Sequence, residues 1–168
     1  PQNELLPFFT ELAQTSLVSD MHISPSALTN NALQIIYGGR YPGKGEFPHV
    51  AKLKELGYQT CYLTSQKTSE FNVDKMLDDI GFEHVIDNRS LSGDKYKRLA
   101  DNEFFPKVIE HLRTLIEPDK PFFLHIINNQ THGPYFTYQK TILNRKQRYL
   151  QAVQESDAQM RLLIDDLK

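Results

Sequence analysis

Residues 120–130 read KPFFLHIINNQ and form the strongest β-strand candidate in the chain. The run is apolar on both faces, a pattern typical of central strands in parallel sheets. Two further strands are predicted at residues 59–64 (QTCYLT) and 84–86 (HVI). Helical segments separate these strands, so helix and strand alternate along the chain. This order predicts an α/β fold with a mainly parallel sheet covered by helices on both faces.

The helices are predicted from apolar spacing and from glycine or proline at their ends. A short extended segment at residues 16–21 (SLVSDM) follows the first helix, and residues 88–100 are predicted to be a polar loop. Asp101 is a candidate cap for its helix, and Pro106 is tolerated if it falls in the first turn. Predicted helices cover residues 5–12, 29–38, 48–56, 101–116 and 146–167. One more helix is predicted in the first part of residues 72–87, where Gly81 ends it.

Composition indicates one globular domain of ordinary kind. The 168 residues are 39% hydrophobic and 24% charged, with a net charge of −2, so the chain has no broad positive field for nucleic acid. The single cysteine, Cys61, lies in a predicted strand and is expected to be a buried, inert thiol. No apolar run approaches the roughly 20 residues that span a bilayer, so we expect this piece to be soluble. Because it begins at Pro1 and ends in a helical pattern, we expect it to be part of a longer protein.

Two polar stretches fall where ligands of α/β sheets collect, outside the carboxyl ends of the strands. In the first, SPSALTNNALQIIYGGRYP (residues 24–42), Thr29 stands at the start of a helix. Thr29 either caps that helix or acts as a nucleophile favoured by a metal ion and by the helix terminus. In the nucleophile interpretation, Asn30 and Asn31 offer hydrogen bonds to an oxyanion. Spacing alone leaves both interpretations open.

The second stretch, FFLHIINNQTHGPYF (residues 122–136), leads from the buried strand to His132. A histidine directly after the most buried strand is a candidate functional residue. His125, inside the strand, is interpreted as a core residue. The other histidines show no metal-ligand spacing and are interpreted as structural or solvent-facing: His22, His49, His84 and His111.

Six segments in order resemble the alkaline phosphatase and sulfatase superfamily, specifically its phosphoethanolamine transferases and lipoteichoic-acid-synthase-like phosphoglycerol transferases. These segments are PQNELLPFFTELAQTSLV, LTNNALQIIYGGRYP, LKELGYQT, GFEHVID, KPFFLHIINNQTHGPYF and YLQAVQESDAQMRLLIDDL. The resemblance covers essentially the whole chain. It implies that residues 1–168 are the central part of a single sulfatase-like catalytic domain, with a three-layer αβα fold that is alkaline-phosphatase-like and incomplete at both ends.

The resemblance also implies roles for individual residues. Thr29 matches the nucleophile, which ligates a divalent metal in the family, either Zn or Mn/Mg. His132 matches a histidine that contacts the transferred phosphoryl group, Asn30 lies in the substrate-binding part, and Lys67 in TSQKTSEF matches a phosphate-contacting lysine. The family's other metal ligands would lie before Pro1 and after Lys168, so the isolated piece is expected to be inactive.

The function implied is a metal-dependent transferase that moves a phosphoethanolamine or phosphoglycerol headgroup from a phospholipid to a glycan or lipid acceptor through phospho-threonine. Sulfatases carry C/S-x-P-x-R at the nucleophile, whereas residues 29–33 read TNNAL, which disfavours a sulfatase. An ester hydrolase of the same fold and a non-catalytic anion-binding fragment remain alternatives. The parent protein is expected to be anchored in the inner membrane, with this part on the periplasmic or extracellular face.

Overall fold

The computed structural model of the protein describes residues 5–19, 21–40, 46–94, 98–135, 137 and 144–168. Helices separate the three strands, as the sequence predicts, and in these ranges three helices precede the first strand. The helices are α1 (Pro7–Leu12), α2 (Thr29–Gly38), α3 (Pro48–Glu55), α4 (Val73–Ile80), α5 (Asn88–Ser92), α6 (Asp101–Leu115) and α7 (Arg145–Asp166), and the strands are β1 (Gln59–Thr64), β2 (His84–Ile86) and β3 (Phe122–Ile127). A 3-10 turn, Glu70–Asn72, precedes α4.

The three strands form one parallel sheet in the order β2-β1-β3. Cys61 of β1 lies opposite His84 of β2 on one side and opposite Leu124 of β3 on the other. All six residues of β1 are buried, as expected for a strand with neighbours on both sides and helices on both faces. The predicted parallel sheet is therefore confirmed, but β1, rather than β3, is the central and most buried of the three described strands, since β3 is only half-buried. Because the strands are parallel, their carboxyl ends share one edge.

Helices cover both faces of this sheet. On one face, Cys61 and Leu63 pack with α6 and α7, whose buried apolar residues include Phe104, Phe105, Val108, Leu112 and Leu163. On the other face, Tyr62 packs with α2, α3 and α4, whose buried residues are Leu33, Tyr37, Val50, Met76, Leu77 and Ile80. Burying each such side chain contributes about 1.5–3 kcal/mol, so the two cores hold the layers together. The predicted three-layer αβα arrangement is confirmed.

Cys61 belongs to the core that β1 forms with α6 and α7. It has no exposed surface, and burial raises the pKa of its thiol to about 11. The prediction of a buried core thiol is confirmed.

The beginning of the chain differs from its prediction. Helix α1 covers Pro7–Leu12 and Leu5 is also helical, so the predicted helix is confirmed, but the five described residues of segment 16–21 form no strand. Leu17 is fully exposed and Val18 is 56% exposed. A strand requires a neighbouring strand for its backbone groups. No described strand pairs with this segment, so the extended pattern of its sequence has no ladder to join.

Helices α5 and α6 correct two local expectations. The predicted loop contains α5, which begins after Asp87 because the Asp87 carboxylate accepts hydrogen bonds from the backbone N–H groups of Arg89 and Ser90. At α6, Ala100 is the N-cap and Asp101 is the first helical residue, so the Asp101 side chain does not cap its own helix. Pro106 is the sixth residue of α6, beyond the first turn, and its ring lies on the exposed side.

Helix α7 ties the start of the chain to the rest of the fold. Its N-terminus carries a capping box formed by Asn144 and Gln147. Further along, the Asp157 carboxylate accepts hydrogen bonds of 3.0 Å from the backbone N–H groups of both Phe8 and Phe9. Asp157 is only 1% exposed. A buried carboxylate of α7 therefore satisfies the N-terminus of α1, which has no cap of its own.

Candidate functional site

The loops that follow the three strands are hydrogen-bonded to one another at the carboxyl edge of the sheet. The Ser65 N–H donates to the Ile127 carbonyl at 3.1 Å, and the Gln66 side-chain amide donates to the Asn129 side chain at 3.0 Å. The Asn88 N–H donates to the Gln66 carbonyl at 3.2 Å. Ligands of α/β sheets bind outside this edge. The sequence-predicted residues Lys67 and His132 both lie on these loops.

His132 is presented to solvent by a tight turn. Its N–H donates to the Asn129 carbonyl at 3.1 Å, and the Tyr135 N–H donates to the His132 carbonyl at 2.9 Å. The exposed imidazole places Nδ1 2.9 Å from the Gly133 carbonyl. Because a carbonyl can only accept, Nδ1 carries the proton and donates. Nε2 is thus the ring nitrogen left to meet a ligand, as a donor when the ring is charged.

Lys67 is half-buried and directly follows Gln66, whose side chain contacts Asn129. Its ammonium forms no ion pair with any residue in the described ranges. The fold therefore brings the loops of Lys67 and His132 to the same edge of the sheet. This placement follows from the parallel register of β1 and β3.

Thr29 is the first residue of α2, and its side chain is exposed. The N-cap is Leu28, whose carbonyl accepts the Ala32 N–H at 2.9 Å, and no side chain caps the helix. The interpretation of Thr29 as an N-cap is therefore wrong. Its hydroxyl forms no hydrogen bond within the described part of the chain, with Lys67 and His132 included. Asn30 is half-buried beside it, and Asn31 is exposed.

The helix that begins at Thr29 is anchored to the strand that leads to His132. The hydroxyl of Tyr37, near the end of α2, makes a short hydrogen bond with Nδ1 of His125 in the middle of β3. Burial lowers the pKa of His125 and raises that of Tyr37, so both side chains are neutral at pH 7. Thr29 precedes Tyr37 by eight residues, about 12 Å along the helix axis. The two candidate elements are thus joined through His125, which is a core residue as predicted.

A buried polar network lies behind the His132 loop. The Asp101 carboxylate accepts hydrogen bonds from the Asn128 amide at 2.7 Å and from the Ser156 hydroxyl. Its other oxygen, Oδ1, is buried without a partner in the described part of the chain. Burial raises the pKa of Asp101, and the hydrogen bonds from Ser156 and Asn128 oppose the shift. Gln130 and Glu155 are also buried and bonded to each other.

Sequence reasoning does not find these partners of the loop. From sequence, Asp101 is only a candidate helix cap, and Glu155 lies inside a long helix with no local signal. The useful signal is the run Asn128, Asn129 and Gln130 directly after an apolar strand, since three consecutive polar residues leaving a core need partners.

The described residues do not form a metal site by themselves. Across these ranges no three His, Cys, Asp or Glu side chains are grouped so that they could hold a metal ion. Thr29 would supply a single oxygen ligand, and a structural or catalytic metal takes at least three protein ligands as a rule. In the same ranges no helix combines the length and apolar character needed to cross a membrane.

Comparison with protein families matches residues 2–168 to the sulfatase family. A search of curated proteins finds no match. Among solved structures, the lipoteichoic acid synthase LtaP from Listeria monocytogenes aligns with 97% of this chain and 46% of its own, at a TM-score of 0.76 and 16% identity. The phosphoglycerol transferase GacH from Streptococcus pyogenes, in complex with sn-glycerol-1-phosphate, aligns with 97% of this chain and 50% of its own, at a TM-score of 0.61 and 18% identity.

A third solved structure, a protein in the alkaline phosphatase superfamily from Vibrio parahaemolyticus, aligns with 68% of this chain and 30% of its own, at a TM-score of 0.54 and 22% identity. At such identities the likeness concerns the fold. The chain spans half or less of the length of each of these three structures.

Proposed function

The chain belongs to the sulfatase family, and from this premise we propose that residues 1–168 are the central part of a single catalytic domain that transfers a phosphoglycerol or phosphoethanolamine headgroup. The superfamily resemblance predicted from the sequence is confirmed by the family match and by the LtaP and GacH folds. The donor in this proposal is a phospholipid, and the acceptor is a hydroxyl of a glycan or lipid.

Thr29 is the proposed nucleophile. Its Oγ forms a bond to the donor phosphorus while the bond from phosphorus to the diacylglycerol oxygen breaks, and the hydroxyl proton ends on that leaving oxygen. An acceptor hydroxyl then forms the new bond to phosphorus, and the Thr29 oxygen leaves and regains a proton from the acceptor. The first N–H groups of α2 have no intrahelical partner, so the helix start also favours the phosphoryl oxygens.

His132, Lys67 and Asn30 are the proposed substrate-binding residues. With Nδ1 committed to the Gly133 carbonyl, a protonated Nε2 of His132 can donate to a phosphoryl oxygen. The Lys67 ammonium, on the adjoining loop, would balance further phosphoryl charge. Asn30 would donate through its side-chain amide beside the nucleophile.

The observation that carries the proposal is the state of the Thr29 side chain. A threonine at a helix start ordinarily caps the helix. Here Leu28 is the N-cap and the Thr29 hydroxyl is exposed, without a hydrogen bond among the described residues, so it is available for another task. An unmodified threonine hydroxyl, rather than the formylglycine that sulfatases make from cysteine or serine, suits a covalent phospho-enzyme.

We propose that a divalent ion, Zn or Mn/Mg, binds Thr29 together with ligands from parts of the protein outside these residues. Such an ion would lower the pKa of the hydroxyl and offset phosphoryl charge. By this proposal the isolated chain is inactive, and the full-length protein is anchored in the inner membrane with this domain on the periplasmic or extracellular face.

The test uses the full-length protein incubated separately with phosphatidylglycerol and phosphatidylethanolamine, followed by mass spectrometry of the intact protein and of its peptides. We expect one of the two phospholipids to give a phosphoryl-headgroup adduct on Thr29. Thr29→Ala should abolish the adduct, whereas Thr114→Ala, a change at another exposed threonine, should leave it intact. An adduct that persists in Thr29→Ala would refute the assignment of Thr29 as the nucleophile.

Two alternatives give different results in the same experiment. An ester hydrolase would release free headgroup phosphate to water even when acceptor hydroxyls are present. A non-catalytic anion-binding domain would give neither adduct nor release.

A further inference from the structure

We infer that Gln130 is a positioning residue. It holds the His132 loop in place because its side-chain amide is hydrogen-bonded to helix α6 through the oxygen and to helix α7 through the nitrogen. The inference rests on the proposed function for its consequence in catalysis. The claim that Gln130 holds the loop depends only on the hydrogen bonds of the loop.

Gln130 lies two residues before His132 and is only 1% exposed. Its Oε1 accepts the Asp101 N–H at 2.7 Å, and its Nε2 donates to the Glu155 carboxylate in a short hydrogen bond. Asp101 is the first residue of α6, so its N–H has no partner within the helix. Gln130, just beyond β3, therefore supplies the cap that α6 does not have in its own sequence.

The two preceding side chains are held by other elements. Asn128 donates to Asp101 at 2.7 Å, and Asn129 accepts from Gln66 in the loop after β1. The Asn129 carbonyl in turn accepts the His132 N–H. Three consecutive side chains are thus bonded to α6, to the β1 loop and to α7, and the turn that presents His132 starts from this fixed backbone.

The glutamine side chain matches both of its neighbours, since it carries an acceptor and a donor. The Asp101 N–H requires an acceptor, and the Glu155 carboxylate requires a donor. Glutamate at position 130 would set two buried carboxylates against each other. Methionine would remove the bonds that the Asp101 N–H and Oε2 of Glu155 make with Gln130, although Oε1 of Glu155 would keep its bond from Gln151. The amide is therefore specific in chemistry as well as in shape.

An exchange of the two groups tests this role in the full-length protein. Gln130→Glu should break the contact, and Glu155→Gln alone should largely keep it. In the double variant, the carboxylate introduced at position 130 accepts from both the Asp101 N–H and the amide introduced at position 155, so the pairing is restored with donor and acceptor reversed. If Gln130→Glu does not fold, Gln130→Met takes its place.

Gln59 provides the matched control. It is another buried glutamine, 9% exposed, whose amide bonds both backbone groups of Glu117 at 3.2 and 2.9 Å. These bonds lie at the opposite edge of the sheet, at the start of β1. Gln59→Glu should therefore lower the melting temperature without disturbing the His132 loop.

Two measurements are made on each variant. For headgroup transfer, we expect Gln130→Glu to lower kcat about 10- to 100-fold with KM changed less than about threefold, because small misplacements of a binding group act on the transition state. The double variant should recover to within about threefold, and Gln59→Glu should keep its kcat. Hydrogen exchange of the His132 N–H should be faster in Gln130→Glu, and normal in the double variant and in Gln59→Glu.

The two measurements separate the inference from the proposed function. If the wild type transfers no headgroup, the proposed function fails while the exchange pattern still tests the loop. Unchanged exchange in Gln130→Glu, or equal losses of kcat in Gln130→Glu and Gln59→Glu, would overturn the inference. Failure of the double variant to recover would overturn it as well.

Discussion

Removing one hydroxyl, in Tyr37→Phe, tests how the Thr29 helix is attached to the sheet. The Tyr37 hydroxyl bonds Nδ1 of His125, and the ring of Tyr37 packs edge-on against Phe82 at a centroid distance of 5.3 Å. Phenylalanine keeps the ring and its packing. The substitution therefore deletes the hydrogen bond between α2 and β3 and little else.

The size of the effect follows from burial. Tyr37 is 3% exposed and His125 is half-buried, and both are neutral because burial raises the pKa of Tyr37 and lowers that of His125. A neutral hydrogen bond contributes about 1 kcal/mol net, and leaving a buried partner unpaired costs about 1–3 kcal/mol. We expect Tyr37→Phe to lower the free energy of unfolding by about 1–2 kcal/mol, near the lower end because His125 retains some access to water.

Tyr62 offers a matched control in the same cluster. Its ring stacks on His125 at a centroid distance of 5.3 Å, it is 2% exposed, and its hydroxyl has no hydrogen bond within the described ranges. Tyr62→Phe removes the same atom without removing a bond. We expect its free energy of unfolding to stay at or slightly above that of the wild type.

Urea denaturation at pH 7 measures both variants, with stability taken from the midpoint and slope of each curve. Equal slopes would show that the unfolded states remain comparable. If Tyr37→Phe loses no more stability than Tyr62→Phe, the hydrogen bond to His125 does not anchor α2, and the link between the Thr29 helix and β3 has to be abandoned.

Two further predictions concern buried carboxylates. Asp157→Asn should lower the free energy of unfolding by roughly 2–4 kcal/mol, because the Phe8 and Phe9 N–H groups each bond a different carboxylate oxygen and asparagine sets its NH2 donor against one of them. Glu11→Gln, at an exposed ion pair between α1 and α7, should change the free energy of unfolding little. Equal effects of the two substitutions in urea denaturation would contradict the reasoning. Burial raises the folded-state pKa of Asp101, so its contribution to stability is fully present below about pH 4 and is lost as pH rises through the folded-state value. Stability measured from about pH 4 to about pH 8 should therefore fall less in Asp101→Asn than in the wild type, and parallel curves would show that Asp101 does not titrate in this way.

Local sequence signals predicted much of the fold. Strands β1, β2 and β3 lie where the sequence indicates them, and α2 ends at Gly38 as predicted, followed by Gly39 with a positive φ. Each depends on a few neighbouring residues, on periodicity or on a glycine that adopts positive φ. Since parallel strands align their carboxyl ends, the position of the His132 loop at that edge of the sheet also followed from the order of elements.

Long-range contacts decided what these signals could not. Segment 16–21 has the composition of a strand, yet it forms none among its described residues because a strand needs a partner outside itself. Thr29 has the position of a cap, yet Leu28 is the N-cap, and α6 receives its cap from Gln130, 29 residues away in the chain. Hydrogen bonds of this kind depend on the register and packing of whole elements, so no local pattern encodes them, and only the tertiary structure determined which polar residues hold the candidate site.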